Sequence, residues 1–292
     1  MLQKLHKIRA DCVVLELEDG VAMSSKQLAR QQAADWLSDR PKELACHELG
    51  LRVNSVASGL IDDDIKVISS ASQTPDAFMV PKVDSVDELH QVWQTFRTHF
   101  GDARLRTLIT DQSVRLVLWI ESARGLLAMP DIVHAAHALR QSRQFFRLDA
   151  VVFGSDDYCA DIGATRSITG EETLYARQRF VACAKAYGVQ AIDSVFIDLN
   201  DSEALRAQCL QGAAWGFTGK QTIHPRQVDI VQRAFLPSAE RVEWARALIE
   251  AFERHAADGK GAMNFRGQMI DRPLLLQAHN VVQLVDAVAA TA

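Results

Sequence analysis

The feature that most limits how this chain can fold is a repeated grammar. A short apolar run stops at a glycine or an acid, and a helical stretch follows. Residues 148–158, LDAVVFGSDDY, show it most plainly: Ala150, Val151, Val152 and Phe153 stop at Gly154, and Asp156 and Asp157 come next. Apolar runs of this length bounded by glycine read as buried parallel strands. Acids just past such a strand are badly placed for a core and well placed for the mouth of a β/α barrel. The grammar recurs in RLVLWIESARG, where a strand at 116–120 ends at Glu121 and Ser122. Two hard oxygen ligands from the ends of neighbouring strands suit a Mg²⁺ that keeps open positions for substrate oxygens. Glu121 and Asp157 are therefore the expected metal pair. Taken alone, Glu121 reads equally as a solvated strand-end acid or a helix cap.

In chain order, strands are expected at residues 12–17, 51–54, 77–80, 116–120, 150–153, 190–198 and 215–218, each followed by a helix or a loop. Residues 101–114 read as a surface loop and 160–170 as a long loop over the mouth. Alternation of strand and helix argues for a parallel sheet. Seven strands are one short of a closed barrel. Residues 1–10 read as the helix that should follow a first strand. The expected fold class is thus α/β, a (β/α)8 TIM barrel with its first strand missing. The barrel is expected over residues 1–257 and a C-terminal extension over 258–292.

The length, 292 residues, is near the roughly 250 typical of such barrels. A net charge of −5 with both signs mixed leaves no basic footprint for nucleic acid. No apolar run approaches the ~18–20 residues that span a membrane. Five cysteines without CxxC spacing read as free thiols in a reducing compartment. The opening MLQKLHKIRA is too short and polar for a secretory signal. GATRS and GFTGK lack Walker A spacing, and neither a Rossmann fingerprint nor a Ser-His-Asp grouping is evident.

LELEDGVA, LRVNS, FMVPKVDS, WIESARGL, LDAVVFGSDDY, DIGATRS, ETLYARQ, QAIDSVFID, GFTGKQTIHP and MIDRPLL follow one another along the chain. In order and spacing they resemble the citrate lyase β-subunit-like family of the HpcH/HpaI aldolase superfamily, over nearly the whole length. The resemblance implies a β/α barrel with a C-terminal extension, assembled as a homotrimer. It implies a carbon–carbon lyase that uses Mg²⁺ to cleave citramalyl-CoA into acetyl-CoA and pyruvate, with malate synthase or β-methylmalate synthase side activity. It places Glu121 and Asp157 on the metal. Asp156 stands where the family usually has Glu and is expected beside the metal or on one of its waters. Arg52 is expected to bind the thioester or keto-acid oxygen and steady the enolate, with Asn54 lining the same pocket. Asp271, in MIDRP, is implied as the acid–base group, reaching the site of a neighbouring subunit. Lys4 and the backbone at Ile223 and His224 are expected on coenzyme A; a structural hydrogen-bonding role for His224 is the equal alternative. Animal members work in mitochondria, so that location is expected, with the cytoplasm as alternative.

Two other readings stand beside this one. A malyl-CoA lyase or malate synthase shares the metal and enolate roles and differs in the space left for a methyl group. A truncated, catalytically inactive barrel protein is the reading of another class, suggested by the missing strand.

Overall fold

The structure is a computed structural model that describes residues 8–41, 43–256 and 263–291. The chain divides into two compact units, Met1–Val231 and Gln232–Ala292.

In the first unit, seven parallel strands pair in sequence order: β1 (Cys12–Glu16), β2 (Glu48–Arg52), β3 (Ala77–Val80), β4 (Arg115–Ile120), β5 (Arg147–Phe153), β6 (Gln190–Asp193) and β7 (Gly219–Lys220). They form a curled half-barrel, and among the described residues β1 and β7 are its two edges. Helices cross between successive strands, as parallel pairing requires. Side chains alternate between the faces. Ala77, Met79, Val117, Trp119, Ala150 and Val152 form one buried layer, with Cys12 and Ile192 against it. The alternate residues Phe78, Leu116, Leu118, Val151 and Phe153 are fully buried on the other face. There Phe78 meets Phe96 and Phe100 of α3 (Val86–Thr110) edge to face.

Four sequence expectations need correction. The second strand is Glu48–Arg52, not 51–54. The last strand is Gly219–Lys220, not 215–218. Helix α7 (Ser202–Trp215) runs through Trp215 and stops on Gly216 at φ 99°, a left-handed cap open to glycine, so pairing with β6 begins later. Residues 102–110 are helical rather than loop: the chain kinks at Gly101 (φ 71°) and resumes, burying Leu105 and Ile109 one turn apart. The strand expected over 190–198 ends at Asp193. The helix expected over 1–10 falls mostly outside the described residues. Helix α3 opens on a side-chain cap: Ser85 accepts from the Glu88 N–H.

In the second unit, α9 (Ala239–Ala256) packs with α10 (Arg272–Thr291), and β8 (Met263–Phe265) pairs antiparallel with β9 (Gln268–Ile270). Ala245, Leu248, Ile270 and Ala278 make its core.

Candidate metal centre

The ends of β1 to β5 bring one cluster of ionisable groups together. Strand β4 ends at Ile120, so Glu121 takes the next position on the face that carries Val117 and Trp119. It is only 5% exposed. Beside it β5 ends, and the chain turns at Gly154 into α5 (Ser155–Ile162). A Cβ on Gly154 would lie 2.3 Å from Glu121 Oε2 and 2.8 Å from its Cβ, so this carboxylate needs glycine there. Asp157, in the first turn of α5, lies within hydrogen-bonding reach of Glu121. Burial first, then the like charges of Asp157 and Glu18, push the Glu121 carboxyl up to about 8. The structure thus brings the two expected metal acids together.

Lys82 joins them from the end of β3. Its Nζ lies 2.7 Å from Asp19 Oδ2, 2.9 Å from Glu18 Oε1 and 3.5 Å from Asp157 Oδ1. Its backbone N–H donates to Glu121 Oε1 at 3.0 Å. Arg52 closes the other side. Its Nε and Nη2 donate to Glu16 Oε2 at 2.7 and 2.6 Å, and its Nη1 is 3.2 Å from Glu18 Oε2. The guanidinium lies over the Trp119 ring, 5.6 Å from its centroid. Burial raises the Glu18 carboxyl despite Lys82 and Arg52, and its Oε2 is buried without a hydrogen bond.

Behind the cluster is a second, closed network. Lys26 Nζ donates to the carbonyls of Leu17 and Glu18 and to Asn54 Oδ1, at 2.7, 2.8 and 2.7 Å. Asn54 Nδ2 donates to Leu17 O and Asp64 Oδ2 at 2.9 and 2.7 Å, and Arg30 Nε binds Asp64 Oδ1 at 2.6 Å. These bonds fix the peptide that carries Glu18. Asn54 therefore faces this network with both ends of its amide.

The remaining expected residues lie as follows. Asp156 pairs with Arg166. The Ile223 N–H donates to Gln227 Oε1 at 3.0 Å, and His224 Nδ1 caps the 3-10 turn Pro225–Gln227 by accepting from the Arg226 N–H at 3.1 Å. Asp271, in the second unit, sits between β9 and α10, where its carbonyl accepts from the Leu275 N–H at 3.1 Å. Lys4 lies outside the described residues. Sequence reasoning missed Glu16, Lys26, Asp64 and Trp119. Glu16 could have been found: it shares β1's alternation, and register places it directly across from Arg52.

Among the described residues, no group of three or more His, Cys, Asp and Glu is placed to hold a metal ion by itself. Mg²⁺ does not require one, since it keeps several waters and takes one or two carboxylates. A buried carboxyl driven toward its neutral form by a facing carboxylate is relieved by a divalent cation between them. The donor set is all oxygen, which also suits Mg²⁺. The residues present fit that ion.

The comparisons with known proteins agree in direction. The human protein named citramalyl-CoA lyase, mitochondrial, is 42% identical over 287 residues, covering 98% of this chain and 82% of that protein. The L-malyl-CoA/beta-methylmalyl-CoA lyase of Rhodobacter capsulatus is 28% identical over 97% of this chain and 90% of its own length. The crystal structure of CitE from Mycobacterium tuberculosis, in complex with magnesium, acetoacetate and coenzyme A, superposes with a TM-score of 0.73 at 25% identity, covering 97% of this chain and 93% of that one. The profile described as HpcH/HpaI aldolase/citrate lyase matches residues 1–225. This chain belongs to the HpcH/HpaI aldolase/citrate lyase family.

Proposed function

We propose that this chain is a Mg²⁺-dependent acyl-CoA lyase that cleaves citramalyl-CoA into acetyl-CoA and pyruvate. The observation that carries the reading is the meeting of Glu121 and Asp157 beside Arg52, with the Glu121 carboxyl pushed up to about 8 by burial and a facing acid. The level of likeness to the mitochondrial citramalyl-CoA lyases supports the choice of substrate within the lyase family.

The reaction breaks a C–C bond next to a tertiary alcohol. The hydroxyl gives up its proton as its carbon becomes the keto carbon of pyruvate, and the acetyl group departs as a thioester enolate that takes up one proton at carbon, so the reaction is proton-neutral. Negative charge develops at two places, and each needs a stabiliser. Glu121 and Asp157 would hold Mg²⁺, whose bound Lewis acidity is worth several kcal/mol at the pyruvate oxygens. Arg52, buried against Trp119 and braced by Glu16 and Glu18, presents a fixed cation to the thioester or keto-acid oxygen. Asn54 contributes through the loop it locks, because its own amide is engaged by Lys26, Leu17 and Asp64. Asp271 would carry the proton that the enolate carbon receives. In this reading the segment 258–292 places Asp271 in the site of a neighbouring subunit of a homotrimer. Lys4 and the backbone at Ile223 and His224 would meet coenzyme A, and the protein would work in mitochondria.

The test compares citramalyl-CoA with malyl-CoA, with and without Mg²⁺, using wild type and Asp271→Ala. Turnover of citramalyl-CoA should need Mg²⁺ and should fall roughly 10²–10⁴-fold in the variant, the usual worth of a proton-transfer group, with substrate binding retained. Preference for malyl-CoA would move the assignment to the malyl-CoA lyases. Full activity in Asp271→Ala would remove that residue from the mechanism.

A further inference from the structure

We propose that Lys82 is a tethered counter-cation: it balances Glu18, Asp19 and Asp157 while no divalent ion is bound, and it competes with that ion for Asp157. The inference rests on the metal reading above and concerns a residue that reading leaves without a role.

Lys82 is placed in an unusual way. It follows Pro81 at the end of β3 and has φ 53°, in the left-handed region that few non-glycine residues occupy. Such conformations persist where the surroundings over-determine them, and they gather at functional sites. Here the turn lets one residue act in two directions. The peptide N–H goes to Glu121 Oε1 at 3.0 Å. The side chain goes to the other acids, reaching Asp19, Glu18 and Asp157 at 2.7, 2.9 and 3.5 Å. Lys82 therefore touches both proposed metal ligands, one through its backbone and one through its ammonium.

The three side-chain contacts are unequal. Those to Asp19 and Glu18 are hydrogen bonds. The contact to Asp157 is an ion pair at 3.5 Å without a hydrogen bond, so it is the easiest to give up. Both partners can move, since the Lys82 side chain is 31% exposed and that of Asp157 46%. An ammonium on a four-carbon stem is a flexible point charge that can stay with two acids while releasing a third. A divalent ion binds carboxylate oxygen at about 2.0–2.1 Å. An ion on Asp157 would therefore sit close to Nζ in its present place, and like charges at that range repel. Either the ammonium withdraws toward Glu18 and Asp19, or the ion binds at a Coulombic cost. In both cases Lys82 lowers metal affinity while holding the metal-free cluster together. A merely structural lysine would do the reverse, because losing it would loosen the ligands and weaken binding.

The experiment titrates Mg²⁺ alone into the metal-free full chain by calorimetry, using wild type, Lys82→Met, Lys82→Arg and Glu121→Gln, and records thermal unfolding with and without Mg²⁺. Lys82→Met should bind Mg²⁺ roughly tenfold tighter or more, as expected for removing a unit charge a few ångströms from the ion. It should also melt lower without metal and gain more from Mg²⁺ than wild type. Lys82→Arg, which keeps the charge, should stay near wild type. Should Lys82→Met not accumulate as folded protein, Lys82→Gln keeps a donor for Glu18 and Asp19 and must shift affinity in the same direction. Equal or weaker Mg²⁺ binding by the neutral variants, beside a wild type that binds and a Glu121→Gln that does not, overturns this inference and leaves the metal reading standing. No Mg²⁺ binding by wild type overturns both.

Discussion

Two clusters of buried charge lie at strand ends in the first unit, and they differ in the sign of their excess charge and in whether their hydrogen bonds close. On the β6–β7 side, Arg177 meets Asp193 through two bonds, at 3.0 and 2.6 Å, and its remaining nitrogen donates to Gln211. The Ser194 N–H adds to Asp193 Oδ1, and Lys220 donates to Gln208 while lying 3.6 Å from Asp193. Acid and base face each other with donors matched to acceptors. On the β1–β5 side, Glu16, Glu18, Asp19, Glu121 and Asp157 share Arg52 and Lys82. Carboxylates outnumber cations there, and one acid is forced toward its neutral form. The same residue types thus make a brace where two cations close on one acid through matched hydrogen bonds, and a candidate site where acids are in excess. A buried charge is tolerated when it is paired and hydrogen-bonded. An excess of carboxylates held in place suits a divalent cation.

The largest expected effects test that contrast from both ends. Glu121→Gln removes one acid from the unbalanced cluster. Turnover should drop by roughly 10³-fold or more, because several kcal/mol of charge stabilisation goes with the metal, and the melting temperature should hold or rise. Asp193→Ala removes the acid that the brace closes on and leaves Arg177 and Lys220 buried without it. Breaking a buried pair in this way costs about 3–5 kcal/mol of stability, while the folded fraction should keep its turnover. Urea denaturation read beside steady-state rates separates the two. If both variants lose activity and stability in the same proportion, the distinction between brace and site fails.

A smaller effect follows from the turn between them. Gly154→Ala puts a Cβ against Glu121 at its Cβ and carboxyl carbon, 2.8 and 2.9 Å away, so the whole side chain must move. Mg²⁺ affinity should weaken on the order of tenfold, the worth of a ligand kept but misplaced rather than lost. Calorimetry on Gly154→Ala checks it. Unchanged affinity would mean that Glu121 has slack and that its position is not set by this contact.

The two clusters were not equally legible in the sequence. Glu121, Asp157 and the glycine between the strand and α5 stood out because each breaks an apolar run at a fixed place, and strand ends are where a parallel sheet gathers its functional groups. The strands β1 and β3 to β5 were readable for the same reason: continuous apolar runs leave little choice of partner. Strand β2 was placed three residues late, because Gly50 breaks its apolar run. Strand β7 was not, because Gly219 and Lys220 carry no apolar run and are made a strand only by pairing with Ile192 and Asp193. Residues 102–110 were misread because Leu105 and Ile109 are the buried anchors of an otherwise polar face, and tertiary contact overrides such a weak pattern. Lys26, Asp64 and the bracing part played by Asn54 were hidden for a different reason. Their meaning lies in a hydrogen-bond network across three segments distant in sequence, and no spacing rule reports that.

The effect of pH is the most diagnostic for the unbalanced cluster. In the metal-free protein the Glu121 carboxyl is raised to about 8, through burial first and then its acidic neighbours. A metal binds the carboxylate, so below that pH binding must release a proton. Mg²⁺ affinity should therefore climb by up to about tenfold for each pH unit between roughly 6 and 8 and level off above. Stability of the metal-free protein should run the other way. A carboxyl whose folded pKa lies above its unfolded value favours the fold while protonated, so stability falls as pH rises from near 4.5 through about 8. The two slopes oppose each other at one residue, and Glu121→Gln should flatten both. Calorimetric titrations and melting curves across pH 6 to 9 measure them in one series. A Mg²⁺ affinity that is flat with pH in wild type would mean that Glu121 is already ionised without the ion, and the excess of charge that separates this cluster from the Arg177–Asp193 brace would then have to be balanced in some other way.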